Sequence, residues 1–447
     1  MDDSGPTATA RTWPSWLALT LVVGLALAVR VALMPFHAYL PGVSMDEQIW
    51  MSWMQAIHQH GVLNVLRTTS TSYVGYHWVL WALSLMYTSA GGSYAQPGVG
   101  LHLLVKTPSI LGDVLLIVVT WHATAALLSD NEHRRRLALT AAAVIAFQPA
   151  VVYDSAIWAQ TDASISVAML AALVLAARDR PASAWTVWTI GFLIKPQPVL
   201  LLPVLLVLTL RTSGAPGLLR GVSSVAAVTA LVVGPWVLHG DTHRVTAAYG
   251  ALMGSQYGRL SASAWNMWWF ADRFGHAAPA DRFTVVPLLT YRLISLVLSL
   301  GAGTIAAGYL WVRCDLRRAL IAGAYMAFAF YMLPMSMHER YLFPFLVLLL
   351  PVAIVERRWL WLYVPASATL FLNMYVVAPS VSSWSGRWVN APFVWGVAGL
   401  NVALFFAFTS VLASGARTAL PLLTAYVRSA FPFNRDGQVR VGQSAGA

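Results

Sequence analysis

Apolar runs of roughly 15 to 25 residues recur from end to end of the chain, separated by short polar segments rich in arginine. About 20 helical residues cross the hydrocarbon core of a bilayer, so the runs read as membrane-spanning helices. They fall near 14–36, 103–128, 137–152, 163–178, 184–195, 197–211, 222–238, 290–312, 319–335, 341–356, 359–376 and 392–412. The pattern predicts an all-α, polytopic transmembrane helical bundle of about 12 spans over residues 1–412. A basic cytoplasmic tail with little order is expected over 413–447. The run from Trp16 to about Phe36 is longer than a signal-peptide core and lacks a small-x-small cleavage site, which marks it as a retained anchor. No internal repeat is visible.

Composition narrows the class. The chain has 447 residues, 58% hydrophobic and only 10% charged, where a soluble protein carries about 25% charge. One cysteine, Cys314, rules out an internal disulfide framework and any CxxC metal site. The formal charge of +11 is spread between apolar runs instead of forming one patch, which argues for membrane topology and against nucleic acid binding.

The arginines then set an orientation. With the N-terminus cytoplasmic, 17 of the 28 basic residues fall inside, including Arg134 to Arg136, Arg317, Arg318, Arg357 and Arg358, against seven outside. That bias fits the positive-inside rule. It holds only if the apolar stretch Tyr73–Tyr87 does not cross. The first outer loop, 37–102, is therefore expected to carry two interfacial helices, Asp46–Leu66 and Tyr73–Tyr87. Spans five and six, separated by Pro196 and Pro198, are expected to form a broken pair, which is tolerated beside protein or a wet cavity.

In this topology the unusual polar residues gather on the non-cytoplasmic side. They are Asp46-Glu47, Asp154, the run Trp158-Ala159-Gln160-Thr161-Asp162, Lys195-Pro196-Gln197 and His338-Glu339-Arg340-Tyr341. Ionisable groups at membrane depth usually line a cavity or pathway. Asp46 and Glu47 suit either a helix N-terminus or a general base. Of the two lysines, Lys106 lies seven residues from Asp113, on one helical face, and a pairing of the two inside the bundle is expected. Lys195 has no evident local partner, which points it towards a phosphate. His338-Glu339-Arg340 reads as an interfacial anchor or as an anion clamp. Asp154, Gln160 and Asp162 suit sugar hydroxyls, support of the basic residues, or helix caps. Arg30 reads as a snorkelling arginine. Tyr257, Trp265, Asn266, Trp268 and Trp269 suit either an interfacial belt or stacking on sugars and isoprenoid.

Together these segments resemble the polytopic glycosyltransferases of the GT-C type, which take sugars from polyprenyl phosphate. The resemblance is closest to bacterial mannosyltransferase-like proteins related to the GPI mannosyltransferase that adds the second mannose. It rests on Ser44-Met45-Asp46-Glu47, Leu104-Val105-Lys106-Thr107-Pro108 with Asp113, Ser155 to Asp162, Lys195-Pro196-Gln197 and Met337 to Pro344, and covers roughly residues 15–350. It implies a membrane enzyme, bacterial and in the plasma membrane, that moves a sugar, mannose by analogy, onto a lipid or glycan acceptor. Asp46, with Glu47 beside it, would supply the catalytic base. Lys195, Arg340 and His338 would meet the donor phosphate. Lys106, Asp154, Gln160, Asp162, Gln197 and Glu339 would bind or support substrate. Some GT-C enzymes use a divalent metal, for which Asp46 and Glu47 are the candidate ligands. In one respect the chain departs from the pattern: Ala159 follows Trp158 where relatives often have glycine. A lipid transporter is the rival expectation, but it should show inverted repeats and charges distributed through the membrane depth.

Overall fold

The computed structural model describes residues 15–36, 45–69, 73–129, 131–251, 260–274, 284–286, 289–381, 392–419 and 421–422. Seventeen α-helices follow one another in these segments: α1 (Ser15–Leu33), α2 (Met45–His60), α3 (Val65–Thr68), α4 (Tyr76–Ser89), α5 (Val99–Ala126), α6 (Asn131–Ala146), α7 (Pro149–Val152), α8 (Asp162–Ala177), α9 (Pro181–Ile194), α10 (Leu202–Leu238), α11 (Thr242–Ala251), α12 (Met267–Phe274), α13 (Tyr291–Val312), α14 (Leu316–Met332), α15 (Phe343–Val355), α16 (Leu360–Val381) and α17 (Pro392–Ala416). The strands among the described residues, β1 (Thr284–Val286) and β2 (Leu289–Thr290), form one small antiparallel hairpin. The protein is all-α in class. The last turns of α17 run past the expected boundary at 412, and residues 423–447 lie outside the described residues.

Among the described residues, six helices are long and apolar enough to cross a membrane: Trp16–Leu33, Val99–Ala126, Gln197–Leu238, Tyr291–Val312, Arg357–Ala378 and Pro392–Ala416. A seventh arises if His133–Ala146 and Pro149–Ile157, bent by 48°, count as one span. Leu21, Leu25, Leu219, Leu231, Leu296, Leu300 and Phe406 lie exposed on this skin. A water-facing surface that apolar would aggregate, whereas lipid tails solvate it. The chain is an integral membrane protein.

Three further apolar helices are shorter: α8, α9 and α15. At 1.5 Å per residue, the 13 residues of α15 reach only about 20 Å. Every residue from Phe343 to Ala353 is buried, as is most of α8 and α14. A helix apolar on all sides belongs at the centre of a bundle, and these form that centre.

The breaks between helices have local causes. Pro149 forces Gln148 out of helical backbone, and the Gln148 side chain caps the new helix at Ala150 N. Pro196 holds Lys195 extended and ends α9, and a 3-10 turn over Gln197–Leu201 leads into α10. Within α10 the backbone breaks at Gly214 (φ 64°), a left-handed conformation that glycine takes readily. The expected runs 197–211 and 222–238 lie on either side of this break, the first beginning in the 3-10 turn.

Arg30 does not snorkel. It is fully buried, and its guanidinium binds the Asp113 carboxylate at 2.5 Å and the carbonyls of Ala26 and Ala146. Pairing with Asp113 compensates both charges without moving either to water. With Asp113 so occupied, the expected Lys106–Asp113 pair does not form.

Candidate functional site

The 37–102 segment folds as α2, a 3-10 turn at Val62–Asn64, α3 and α4. α4 has 14 residues, or about 21 Å, which is short of a bilayer. Gly75 lets this segment approach the end of α9: its N–H donates to Leu193 O at 2.9 Å, and a Cβ there would stand 2.6 Å from that oxygen. α2 packs against α4 and α5, and its Asp46 and Trp50 reach the Trp158–Ala159 turn.

Asp46 and Glu47, adjacent in sequence, go to different places. Asp46 is half-buried, and its Oδ2 accepts the indole N–H of Trp158 at 2.6 Å. Glu47 is fully buried, 3.1 Å from Lys106 Nζ and 3.7 Å from His102 Nδ1. Lys106 also donates to the carbonyls of Met34 and Phe36, at 2.7 and 2.6 Å. Its ammonium has three donors, and each has a partner. Glu47 and Lys106 therefore staple the end of α1 to α2 and α5. The two acids do not converge on a common point, and among the described residues no group of three or more His, Cys, Asp or Glu side chains is placed to hold a metal ion. The expected metal pair has no third ligand here.

Residues from three further breaks meet beyond Asp46. Lys195 Nζ donates to Asp162 Oδ1 at 2.6 Å and lies 5.3 Å from the Tyr341 ring centre. Its partner is 33 residues away, which is why no local partner could be read. Arg340 donates to Glu339 Oε1 at 2.7 Å, lies 3.6 Å from Asp162 Oδ2, and sits 5.4 Å over the Trp158 ring. His338 is 3.7 Å from Glu339 and packs edge-on to Tyr341. Gln197 donates to Tyr341 O at 3.1 Å. Asp154, Asp162, Lys195, Gln160, Gln197, Glu339 and Arg340 are all buried.

Several polar atoms here lack any hydrogen-bond partner among the described residues: both Asp154 oxygens, Gln160 Nε2 and Gln197 Oε1. Unpaired buried polar atoms are costly, and they concentrate where a ligand or water completes the network. Burial would raise Glu339, but the hydrogen bond from His338 and the charge of Arg340 hold it down to about 2. Tyr73 is pushed up to about 12, first by burial and then by Asp46 and Asp162, against the pull of Arg340, which hydrogen-bonds it.

Tyr73, Trp158 and Tyr341 were not singled out as site residues from the sequence. Each sits at a helix break beside a charged residue, a signal visible only once the breaks are known to meet. The aromatic group of the 239–289 segment belongs elsewhere. Trp265, Trp268 and Trp269 are buried, with their backbone N–H groups on Asn373 and Asn266, and Asn266 donates to Tyr331 O. They pack the protein interior, and Tyr257 lies outside the described residues.

An apolar cavity of about 410 Å³ opens beside the α9 break. Trp78 and Val79 of α4, Ile190, Leu193 and Ile194 of α9, and Leu231, Val232 and Pro235 of α10 line it. Its wall ends one residue before Lys195. No family model and no curated protein matches the chain.

Proposed function

We propose that this protein is a membrane glycosyltransferase that moves a sugar, mannose by resemblance, from a polyprenyl-phosphate donor to an acceptor hydroxyl on a lipid or glycan. The observation that carries the reading is the junction of four helix breaks. A half-buried carboxylate, two cations and unpartnered polar atoms meet there, with an apolar cavity alongside. The finer topology, about twelve crossings of GT-C type with the site on the non-cytoplasmic face, belongs to this proposal.

Asp46 takes the proton of the acceptor hydroxyl as its oxygen attacks the anomeric carbon. The bond from that carbon to the phosphate oxygen breaks, its electron pair leaves with polyprenyl phosphate, and the anomeric configuration inverts. Lys195 and Arg340 stabilise the leaving phosphate in a site shielded from water. Before donor binds, Asp162 and Glu339 compensate these cations, which avoids the cost of an unpaired buried charge. Asp154, Gln160 and Gln197 offer acceptors and a donor to sugar hydroxyls. The apolar cavity suits the first isoprene units.

The broken backbones at Gln148–Trp158 and Lys195–Leu201 also suit a lipid transporter. One assay separates the two. Purified protein in vesicles is incubated with a panel of polyprenyl-phosphate sugars and lipid or glycan acceptors. Transfer predicts consumption of one donor and an inverted glycoside. Movement of the lipid between leaflets with no glycosidic product overturns the enzyme reading.

A further inference from the structure

Asp46 is positioned by a feature that general-base chemistry does not itself require. Asp46 and Trp50 lie one helical turn apart on α2, so they share a face. Both bond the same turn, Trp158–Ala159, at the start of α8. Trp158 Nε1 donates to Asp46 Oδ2 at 2.6 Å, and Trp50 Nε1 donates to Ala159 O at 3.0 Å. The two rungs fix both the height and the rotation of α2 against that turn.

The turn itself is held from behind. Residues Tyr153–Ile157 form a π-helical turn, closed by Trp158 N–H on Tyr153 O. Ser155 Oγ donates to Asp113 Oδ2, the same carboxylate that Arg30 binds. Ala159 takes a left-handed backbone (φ 62°), which aims its carbonyl at Trp50. The other face of Trp158 meets the Arg340 guanidinium. One indole thus touches the candidate base through its N–H and the candidate phosphate ligand through its ring.

We propose that Trp158 is a positioning residue, seconded by Trp50, that sets the Asp46 carboxylate at a fixed distance from Arg340. The inference rests on the transferase reading for its effect on rate, but the contact itself can be tested without turnover. Trp158→Phe keeps an aromatic ring, though a smaller one, and loses the N–H. A charge-assisted hydrogen bond to the base is lost, so kcat should fall about 10- to 100-fold while the KM for donor changes less than about threefold. Trp158→Leu also loses the ring against Arg340 and should raise donor KM as well. Trp50→Phe should lower kcat in the same sense by a smaller factor. A role limited to packing would lower yield or thermal stability without this division between kcat and KM.

The second measurement is the indole ¹H–¹⁵N spectrum of the purified protein, with the Trp158 signal assigned by its loss in Trp158→Phe. A downfield signal that moves upfield in Asp46→Asn supports the contact. A Trp158 signal indifferent to Asp46→Asn overturns the proposal, as does unchanged kcat in Trp158→Phe. If the wild-type protein transfers no sugar but the signal still responds to Asp46→Asn, the positioning contact stands and the transferase reading falls.

Discussion

Lys106 and Lys195 are the only lysines in the chain, both are buried, and both are ion-paired, yet their surroundings differ. Lys106 has Glu47 and two backbone carbonyls around it. Lys195 has one carboxylate, one aromatic face, and neighbours with unused hydrogen-bonding atoms at Asp154, Gln160 and Gln197. Burial and charge alone do not separate a staple from a binding site. The hydrogen bonds of the ammonium itself do: Lys106 has three acceptors of the chain around it, whereas Lys195 has Asp162 as its one hydrogen-bond acceptor among the described residues and so can still donate to a polar ligand.

Mutations can break or sharpen this contrast. The largest effect is expected at Asp46→Asn, where loss of a general base should lower transfer about 10²- to 10⁴-fold with donor binding retained. Steady-state kinetics and donor affinity measured on the same preparation check it. Lys106→Met should cost about 3–5 kcal/mol of stability, because it strands Glu47 in the interior. Adding Glu47→Gln should recover part of the thermal midpoint, and no recovery would contradict the staple. Lys195→Met should lower transfer about 10²-fold with a smaller loss in melting temperature than Lys106→Met.

The pH dependence of Glu339 gives a subtler test. Its folded-state value, near 2, lies below the ordinary 4.5. Its contribution is therefore complete above about 4.5 and is lost as pH falls towards 2. Thermal melts over that window should fall more steeply in the wild type than in Glu339→Gln. The smallest effect is expected at Ala159→Gly. A left-handed alanine costs about 1 kcal/mol relative to glycine, so this variant should melt slightly higher.

Much of the fold was legible because apolar runs and prolines act locally. The break at Pro196 is expected from the restriction that proline places on the preceding residue, whereas the break at Pro149 falls inside the expected span 137–152 and divides it with a 48° bend. Span count was harder, since α8, α9 and α15 are short and packed among other helices, where length no longer measures a bilayer. Partners across the bundle were not legible. Arg30 looked towards the membrane surface in sequence, but its partner Asp113 is 83 residues away, and Lys195 reaches Asp162 across two helices. Glu47 and Asp46 could not be told apart, because a difference of one residue on a helix turns side chains about 100°, and only the packing shows what each then meets.

The π-helical turn at Tyr153–Ile157 sets a limit on how this chain can change. Such a turn holds one residue more than the α-turn it replaces. Deleting a single residue within it would restore regular helix, at little expense to hydrophobicity or length. The wide turn takes up its extra residue locally, so the flanking segments would keep nearly their present orientation, and what would be lost is the support behind Trp158: the Ser155 hydroxyl on Asp113 and the Trp158 N–H on Tyr153 O. A one-codon deletion there would leave the chain suited to the bilayer while loosening the turn that holds Trp158 against Asp46, so the membrane fold and the alignment of the site can be separated at this one position.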